Sequence, residues 1–478
     1  MSERSIPPLI ASRHAPHFLR AAALASRTRR DTAKHRSFVI SALHRIAFIV
    51  ATAAYFLSLL ASYLFYIAPR YSYYGLISDF SVEKTVLSGL VVLGIATIHP
   101  VRRGRLASVL SSLAFFVGFV PLSVFFGAAN GDTFFYINSA LAFLLFLGLA
   151  NAPYLHMPAL YVPSKAIEIA LWAIVVYDFI LLIALGGLSI FSLDPFTVYE
   201  RRPVASSMFS GFFLPYLVPW AGNVALPILM AISLHRRMYF RSAAILMLAV
   251  GLYGFTTHKT IAVTTLLVVL LYVFSRRKVP MLLAFPSGGA VVTVLGISEA
   301  VTFGTQTING FLIRRALFVP AMLAFAYYAV FSQAGFVYMT ASSLPIFGEY
   351  PFPEPPTMMV SRFVFGHPFA NANNGLFGAG YMQFGIVGIY MWLGIVGLLV
   401  NIMGGFARRL PIWLSVPVTA VPILGFFTNA DLPTGLVTHG FGLLIVVFYA
   451  LSGSELTNVH WKRDRRIGSV RNYGTRRE

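Results

Sequence analysis

The sequence predicts an all-α, polytopic integral membrane protein: about 12 transmembrane helices and one large external loop containing a re-entrant or interfacial helix. Three observations predict it. Of the 478 residues, 58% are hydrophobic and only 11% charged, against roughly 45–50% and about 25% in a soluble domain. The apolar residues gather into runs of about 20, the length at which a helix crosses a hydrocarbon core. The 36 Lys and Arg exceed the 16 Asp and Glu by a net charge of +20, and they concentrate in alternate loops. The absence of cysteine removes disulfides, thiolate metal sites, iron–sulfur clusters and cysteine nucleophiles.

Residues 1–45 form a basic cytoplasmic tail, with nine Lys or Arg against Glu3 and Asp31 and no apolar core of signal-peptide type. Within it, HFLRAAALASRTRR (His17 to Arg30) reads either as a short helix on anionic headgroups or as a solvated tail. A single membrane domain follows over 46–452, and 453–478 is a second basic cytoplasmic tail. Five crossings come first, near Ile46 to Ala68, Thr85 to Ile98, Leu106 to Phe126, Phe134 to Asn151 and Ala166 to Phe191. Seven more lie near Met208 to Leu234, Ser242 to Thr257, Ile261 to Ser275, Met281 to Ala300, Gly378 to Met403, Ile412 to Phe427 and Gly435 to Leu451.

A further apolar run, Ala316 to Ser332, is long enough to cross, and charge decides against it. Short cytoplasmic loops collect Lys and Arg. With the N-terminus inside and this run not crossing, twenty-eight of the 36 basic residues fall inside, in the tails and in loops such as those of Arg102, Arg103 and Arg105, Arg236 and Arg237, and Arg276 to Lys278. A crossing would put Arg408, Arg409 and the basic C-terminal tail outside. The run is therefore read as re-entrant or interfacial, within an external loop over 301–377. The positive charge is explained as topology, and no nucleic acid is required.

Eight cations remain outside: Arg70, Lys84, Arg201, Arg202, Lys259, Arg314, Arg315 and Arg362. Arg201 and Arg202 follow Glu200 in DPFTVYERRPV, where a local ion pair with headgroup contact competes with ligand binding. Lys259 stands at the tip of a tight hairpin, GFTTHKT, where snorkelling is the plain alternative. Arg314 and Arg315 open RRALFVPAMLAFAYYAVFS and put guanidinium groups at the depth of a lipid pyrophosphate or of ordinary lipid phosphates. In the external loop, LPIFGEYPFPEPP (Leu344 to Pro356) precedes FVFGHPFANANNG. The amides of Asn371, Asn373 and Asn374 there suit sugar hydroxyls as well as they suit turns. His367, the one histidine in that loop, is either a general base or a turn residue. In the spans, Asp178 and Glu168 share one helix, as a proton-coupling site or as paired carboxyls.

Several chemistries are excluded. YGFTTHKT ends like a phosphate loop but has Tyr253 and His258 where the glycines belong. There is no HExxH pair for zinc and no Asp-x-Asp pair for a metal-bridged nucleotide sugar. No metal and no cofactor is expected, so an anionic donor would be matched by Arg and Lys.

The strings VYERR, PYLVPWAGNVALPILMAISLHRR, GLYGFTTHKTIAVTTLLVVLLYVF, RRALFVPAMLAFAYYAVFS and NANNGLFGAGYMQFGIVGIYMWLGIVG occur in that order. In this order the chain, over about Phe196 to Met403, resembles the oligosaccharide repeat-unit polymerases of bacterial surface polysaccharides. These are the O-antigen and capsule polymerases, related in architecture to O-antigen ligases. The resemblance implies a metal-independent inverting glycosyltransferase in the bacterial cytoplasmic (inner) membrane, with both termini cytoplasmic and the active site facing the periplasm. It would transfer a glycan from polyprenyl pyrophosphate to a hydroxyl of another lipid-linked unit, in lipopolysaccharide or capsule synthesis. Implied partners are the polyprenyl-pyrophosphate-linked oligosaccharide, membrane lipids, a chain-length regulator and a flippase. On this resemblance the loop arginine falls on Arg201 or Arg202, the hairpin cation on Lys259, the arginine of the amphipathic run on Arg314 or Arg315, and the ligases' histidine on His367. Arg201 or Arg202, Lys259 and Arg314 or Arg315 would hold pyrophosphate, with Arg362 and the three asparagines on the glycan; His367 or a carboxylate such as Glu349 would take the acceptor proton. The alternatives are an O-antigen ligase using the same donor, and a lipid-linked oligosaccharide flippase, which needs more buried charge than Asp178 and Glu168 supply.

Overall fold

The computed structural model describes residues 42–456, except 101–104, 156, 159, 195–196, 212, 278, 342–347 and 369–370. The helix considered for His17 to Arg30, nearly all of both basic tails, Arg102, Arg103, Lys278 and the start of LPIFGEYPFPEPP lie outside the described residues. Among those described, all regular structure is helical. Long apolar runs leave the helix as the form that satisfies every backbone polar group internally in lipid.

Ten helices are long and apolar enough to cross a membrane. They are α1 (Ala42–Tyr74), α3 (Leu106–Ala128), α4 (Thr133–Asn151), α5 (Ser164–Ala184), α7 (Leu214–His235), α8 (Tyr239–Thr256), α9 (Lys259–Arg276), α10 (Met281–Phe303), α11 (Ile308–Ala334) and α13 (Leu376–Ala407). Shorter helices are α2 (Val82–Ile98), α6 (Val198–Met208), α12 (Pro356–Phe365), α14 (Ile412–Thr428), α15 (Leu432–Leu436) and α16 (Phe441–Leu451). Side-chain caps mark some starts: Ser81 accepts from the Lys84 N–H, and Asp132 from the Phe135 N–H at 2.8 Å.

The loops sort to two ends of the bundle. At the basic end, Arg105 donates to the carbonyls of Asn151 and Ala152 at 3.3 and 3.1 Å. Asn401 there accepts from the Leu155 N–H at 3.2 Å and donates to the Ala152 carbonyl at 3.0 Å. Glu168 is gripped by Arg236 at 2.7 Å and Arg241 at 3.1 Å, tying α5 to α7 and α8. At the opposite, polar-loop end, the N–H groups of Asp79 and Ser81 donate to the carbonyls of Ala128 and Gly127, and Lys84 caps the Gly131 carbonyl at 2.7 Å. Between the ends the core is aromatic: Phe119 stacks on Phe143 at 4.9 Å, and Phe126 on Tyr136 at 4.1 Å.

Three apolar runs stand out against expectation. The run Ala316 to Ser332, expected from loop charge not to cross, belongs to α11, 27 residues long and apolar enough to cross unaided, so length and hydropathy allow the crossing that charge argues against. Its neighbours, however, lie at the polar-loop end along its length. Asn309 bonds Ser62 and Gly296 at 3.0 Å, Phe318 meets Tyr63 at 4.8 Å, Phe325 packs on Gly131, and Tyr327 donates to the Ala372 carbonyl at 2.9 Å.

The second is the span expected over Gly378 to Met403, which is two arms. The chain reverses at Phe384 and Gly385, whose φ of 62° and ψ of −145° suit glycine alone, so that Gly380 packs against Gly388. Two helix backbones meet there without side chains between them, a small-residue contact typical of membrane bundles. A Cβ on Gly388 would collide with the Gly380 carbonyl. Gly388→Val is expected to cost at least about 1–3 kcal/mol, as overpacking does. The measurement is the thermal midpoint of detergent-purified protein, and an unchanged midpoint would refute the close reversal.

Third, the span expected over Gly435 to Leu451 is helical as a long segment only from Phe441. Residues 429–440, with the short α15, break the path between α14 and α16. Asp431 holds the break by accepting from Gln383 at 2.8 Å, from the Trp392 indole at 2.5 Å and from the Leu432 N–H at 2.7 Å.

Candidate functional site

The site grows from the hairpin between α8 and α9. Helix α8 ends at Thr256, and Thr257 takes φ 62°, a left-handed conformation that is costly for a β-branched residue and that clusters at functional sites. His258 follows, and α9 starts at Lys259 without a side-chain cap. The Lys259 and Ile261 N–H groups donate to the Thr257 and His258 carbonyls at 3.1 Å, and the positive end of the helix dipole faces the polar-loop end. The Thr257 hydroxyl (3% exposed) and the Tyr253 hydroxyl (9%) beside this turn have no hydrogen-bond partner among the described residues.

The two arginines of VYERR do different work. Arg201 donates to Thr197 Oγ1 at 3.1 Å, to the carbonyls of Ile190 and Gly254 at 3.2 Å, and to that of Asp194 at 3.3 Å. Four of its N–H groups are thus spent clipping α6 to the last turn of α8. The clip sets the exposed Arg202 beside His258. The break at 429–440 supplies the third wall. Trp220 donates to the Val437 carbonyl at 2.7 Å, and Gly425 faces both the His439 ring and the exposed Asn429. His439 lies close enough to His258 to act on its charge.

His258 is open to solvent on one side, yet the protein around it strips enough water to lower its pKa from 6.5 to about 4, with Arg202 and His439 pushing the same way. The imidazole is neutral at pH 7 while cations surround it.

A second cluster gathers the other expected residues. The Arg314 guanidinium lies over Tyr71 at 4.4 Å and Tyr74 at 5.2 Å, with its Nε donating to the Gly310 carbonyl. Tyr74 touches Phe365 at 4.5 Å, and Phe365 stacks on the exposed His367 at 6.2 Å. Arg315 is exposed on the same helix as Arg314. Arg362 is paired with Glu354, so its charge is already balanced, and Glu349 is exposed. Asn371 accepts from Thr357 at 3.4 Å, Asn373 is exposed, and the buried Asn374 accepts from the Gly375 N–H at 2.7 Å with its amide nitrogen unpartnered.

Sequence reasoning passed over His258 and His439. His258 was visible only as the residue that spoils a phosphate-loop pattern, although it sits next to Lys259. His439 stood inside an apparently continuous apolar run. Of the buried carboxyls, Glu168 is consumed by two arginines, and Asp178 has neither oxygen bonded among the described residues. No group of three or more His, Asp or Glu able to hold a metal occurs among them either.

No family model, no curated protein and no solved structure matches this chain. Fold and site together define a multi-pass, all-α membrane protein. Its distinguishing feature is the hairpin between α8 and α9, where Lys259 follows His258 and where Arg202 and His439 lie close enough to act on that histidine's charge, at the end of the bundle opposite its basic loops.

Proposed function

We propose that this protein polymerises lipid-linked oligosaccharide repeat units. It transfers a glycan from polyprenyl pyrophosphate to a sugar hydroxyl of another lipid-linked unit, as a metal-independent inverting glycosyltransferase at the outer face of the bacterial cytoplasmic membrane. The positive-inside rule would put the basic end in the cytoplasm and the hairpin of His258 and Lys259 outside, with α11 along the outer interface. The observation that carries the reading is that Arg202 lies near enough to act on His258, the residue that precedes Lys259 and the start of α9 in one hairpin. Guanidinium, ammonium and helix N-terminus are each anion binders, and their common ligand at this depth is a lipid pyrophosphate. Preorganised cations can stabilise the charge that develops on a pyrophosphate leaving group without a metal.

The test is the electrophoretic ladder of surface polysaccharide from a deletion strain. Glycolipid carrying a single repeat is the expected result, restored to a full ladder by the wild-type gene. Long polymer left unattached to its lipid acceptor would make the protein a ligase, and accumulation of lipid-linked repeat on the cytoplasmic side would make it a flippase. An unchanged ladder would overturn all three.

A further inference from the structure

The transfer just proposed must remove a proton from the acceptor hydroxyl. Resemblance points to His367, but that ring stacks on Phe365, in the cluster built around Arg314. The hairpin holds a different histidine. We infer that His258 is the proton acceptor of the site and that the pyrophosphate of the donor arms it. The inference rests on the glycosyl-transfer reading and adds to it a base that neither motif nor resemblance assigns.

The argument starts from placement. His258 is the residue before the first turn of α9 and the chain neighbour of Lys259, and the Arg201 clip to the Gly254 carbonyl keeps α6 at this hairpin, with Arg202 near enough to act on the His258 charge. Any pyrophosphate seated by Arg202, Lys259 and the start of α9 therefore lies within a few residues' reach of this imidazole. The charged and titratable groups around it are few. Its own hairpin gives Tyr253 and Lys259, the loop packed on Gly254 gives Asp194, α6 gives Glu200, Arg201 and Arg202, and the 429–440 break gives His439 and Asp431, the latter spent on Gln383, Trp392 and the Leu432 N–H. Near this end, α7 offers only Tyr216, and α14 has no titratable side chain.

Without donor, the surrounding protein and Arg202 favour the neutral form of His258. It is free to accept a proton but is a weak base. A bound pyrophosphate diester brings two negative charges that offset Arg202 and favour the imidazolium, which raises the basicity of the ring toward the working pH. In the step itself the acceptor oxygen forms the new bond to the anomeric carbon, and the bond from that carbon to the pyrophosphate oxygen breaks. Its electron pair leaves on the pyrophosphate, held by Arg202 and Lys259. The hydroxyl proton passes to a ring nitrogen of His258 and from there to water. A base that strengthens only when donor is present is matched to the bound complex.

The experiment uses full-length protein in detergent, with N-acetylglucosaminyl farnesyl pyrophosphate, a diester whose phosphates do not titrate near neutrality, as binding probe, and native lipid-linked repeat units for turnover. Expected for wild type is an acid limb in kcat that lies at higher pH than the acid limb in kcat/KM for the donor, since the first reports the loaded and the second the empty site. His258→Gln is expected to elute as a single species and bind the probe within about 3-fold of wild type, while turnover falls about 10²–10⁴-fold. Added imidazole is expected to restore part of the turnover of His258→Ala. His367→Gln, whatever its rate, is expected to keep the wild-type acid limb. Wild-type kcat in His258→Gln, or an acid limb that vanishes in His367→Gln instead, overturns the assignment and leaves glycosyl transfer standing. Failure of the wild type to bind the probe removes the donor reading and this inference with it.

Discussion

Arg202→Ala is expected to abolish chain extension, lowering turnover about 10²–10³-fold, the usual loss when one preorganised donor to a developing oxyanion is removed. Arg202 is exposed and sits beside His258, so its removal leaves no buried partner stranded and the fold is expected to persist. The measurement is in vitro polymer length together with the elution profile of the purified protein. Arg202→Lys should recover only part of the rate, because an ammonium cannot grip two phosphate oxygens as a fork does. Arg201→Ala should look different. Its four bonds go to the protein itself, so the expected result is a lowered thermal midpoint together with lost activity. Full activity in Arg202→Ala, with loss confined to Arg201→Ala, would exchange the two roles.

Glu168→Ala is expected to destabilise the bundle by about 1–3 kcal/mol, less than for a fully buried pair because Arg236 and Arg241 are 37% and 21% exposed and partly screened by solvent. The Glu168 side chain is 10% exposed and answers both Arg236 and Arg241, the latter also lying over Trp172 at 5.5 Å. Its loss leaves two guanidinium groups with no anion where α5, α7 and α8 meet. The check is the detergent-solubilised thermal midpoint. The double replacement Glu168→Gln with Arg241→Gln should recover much of the loss, since it removes charge from both sides. A midpoint unchanged by Glu168→Ala would show the cluster to be solvated.

Much of the architecture is legible in local sequence, because a membrane helix is written as an uninterrupted apolar run and each loop carries its own charge. The hairpin at Lys259 and the anomaly of the VYERR arginines are visible in the same way. Long-range partners are not. Arg201 and Arg202 are neighbours with the same side chain, and only the approach of Gly254, 53 residues from Arg201, makes one a clip and leaves the other exposed. Arg362 looked like a site cation until folding placed Glu354 against it. The reversal at Gly385 is invisible to hydropathy, since both arms are equally apolar and a left-handed glycine carries no apolar signal.

The sequence by itself determined that this protein is an all-helical membrane bundle whose cations divide between a basic end and a few anomalous positions, because hydrophobic length and loop charge act residue by residue. Only the tertiary structure decided which anomalies converge. The hydration and charge of a side chain depend on groups far along the chain, and so His258 became a neutral imidazole among cations, with His439 drawn to it from the break before α16.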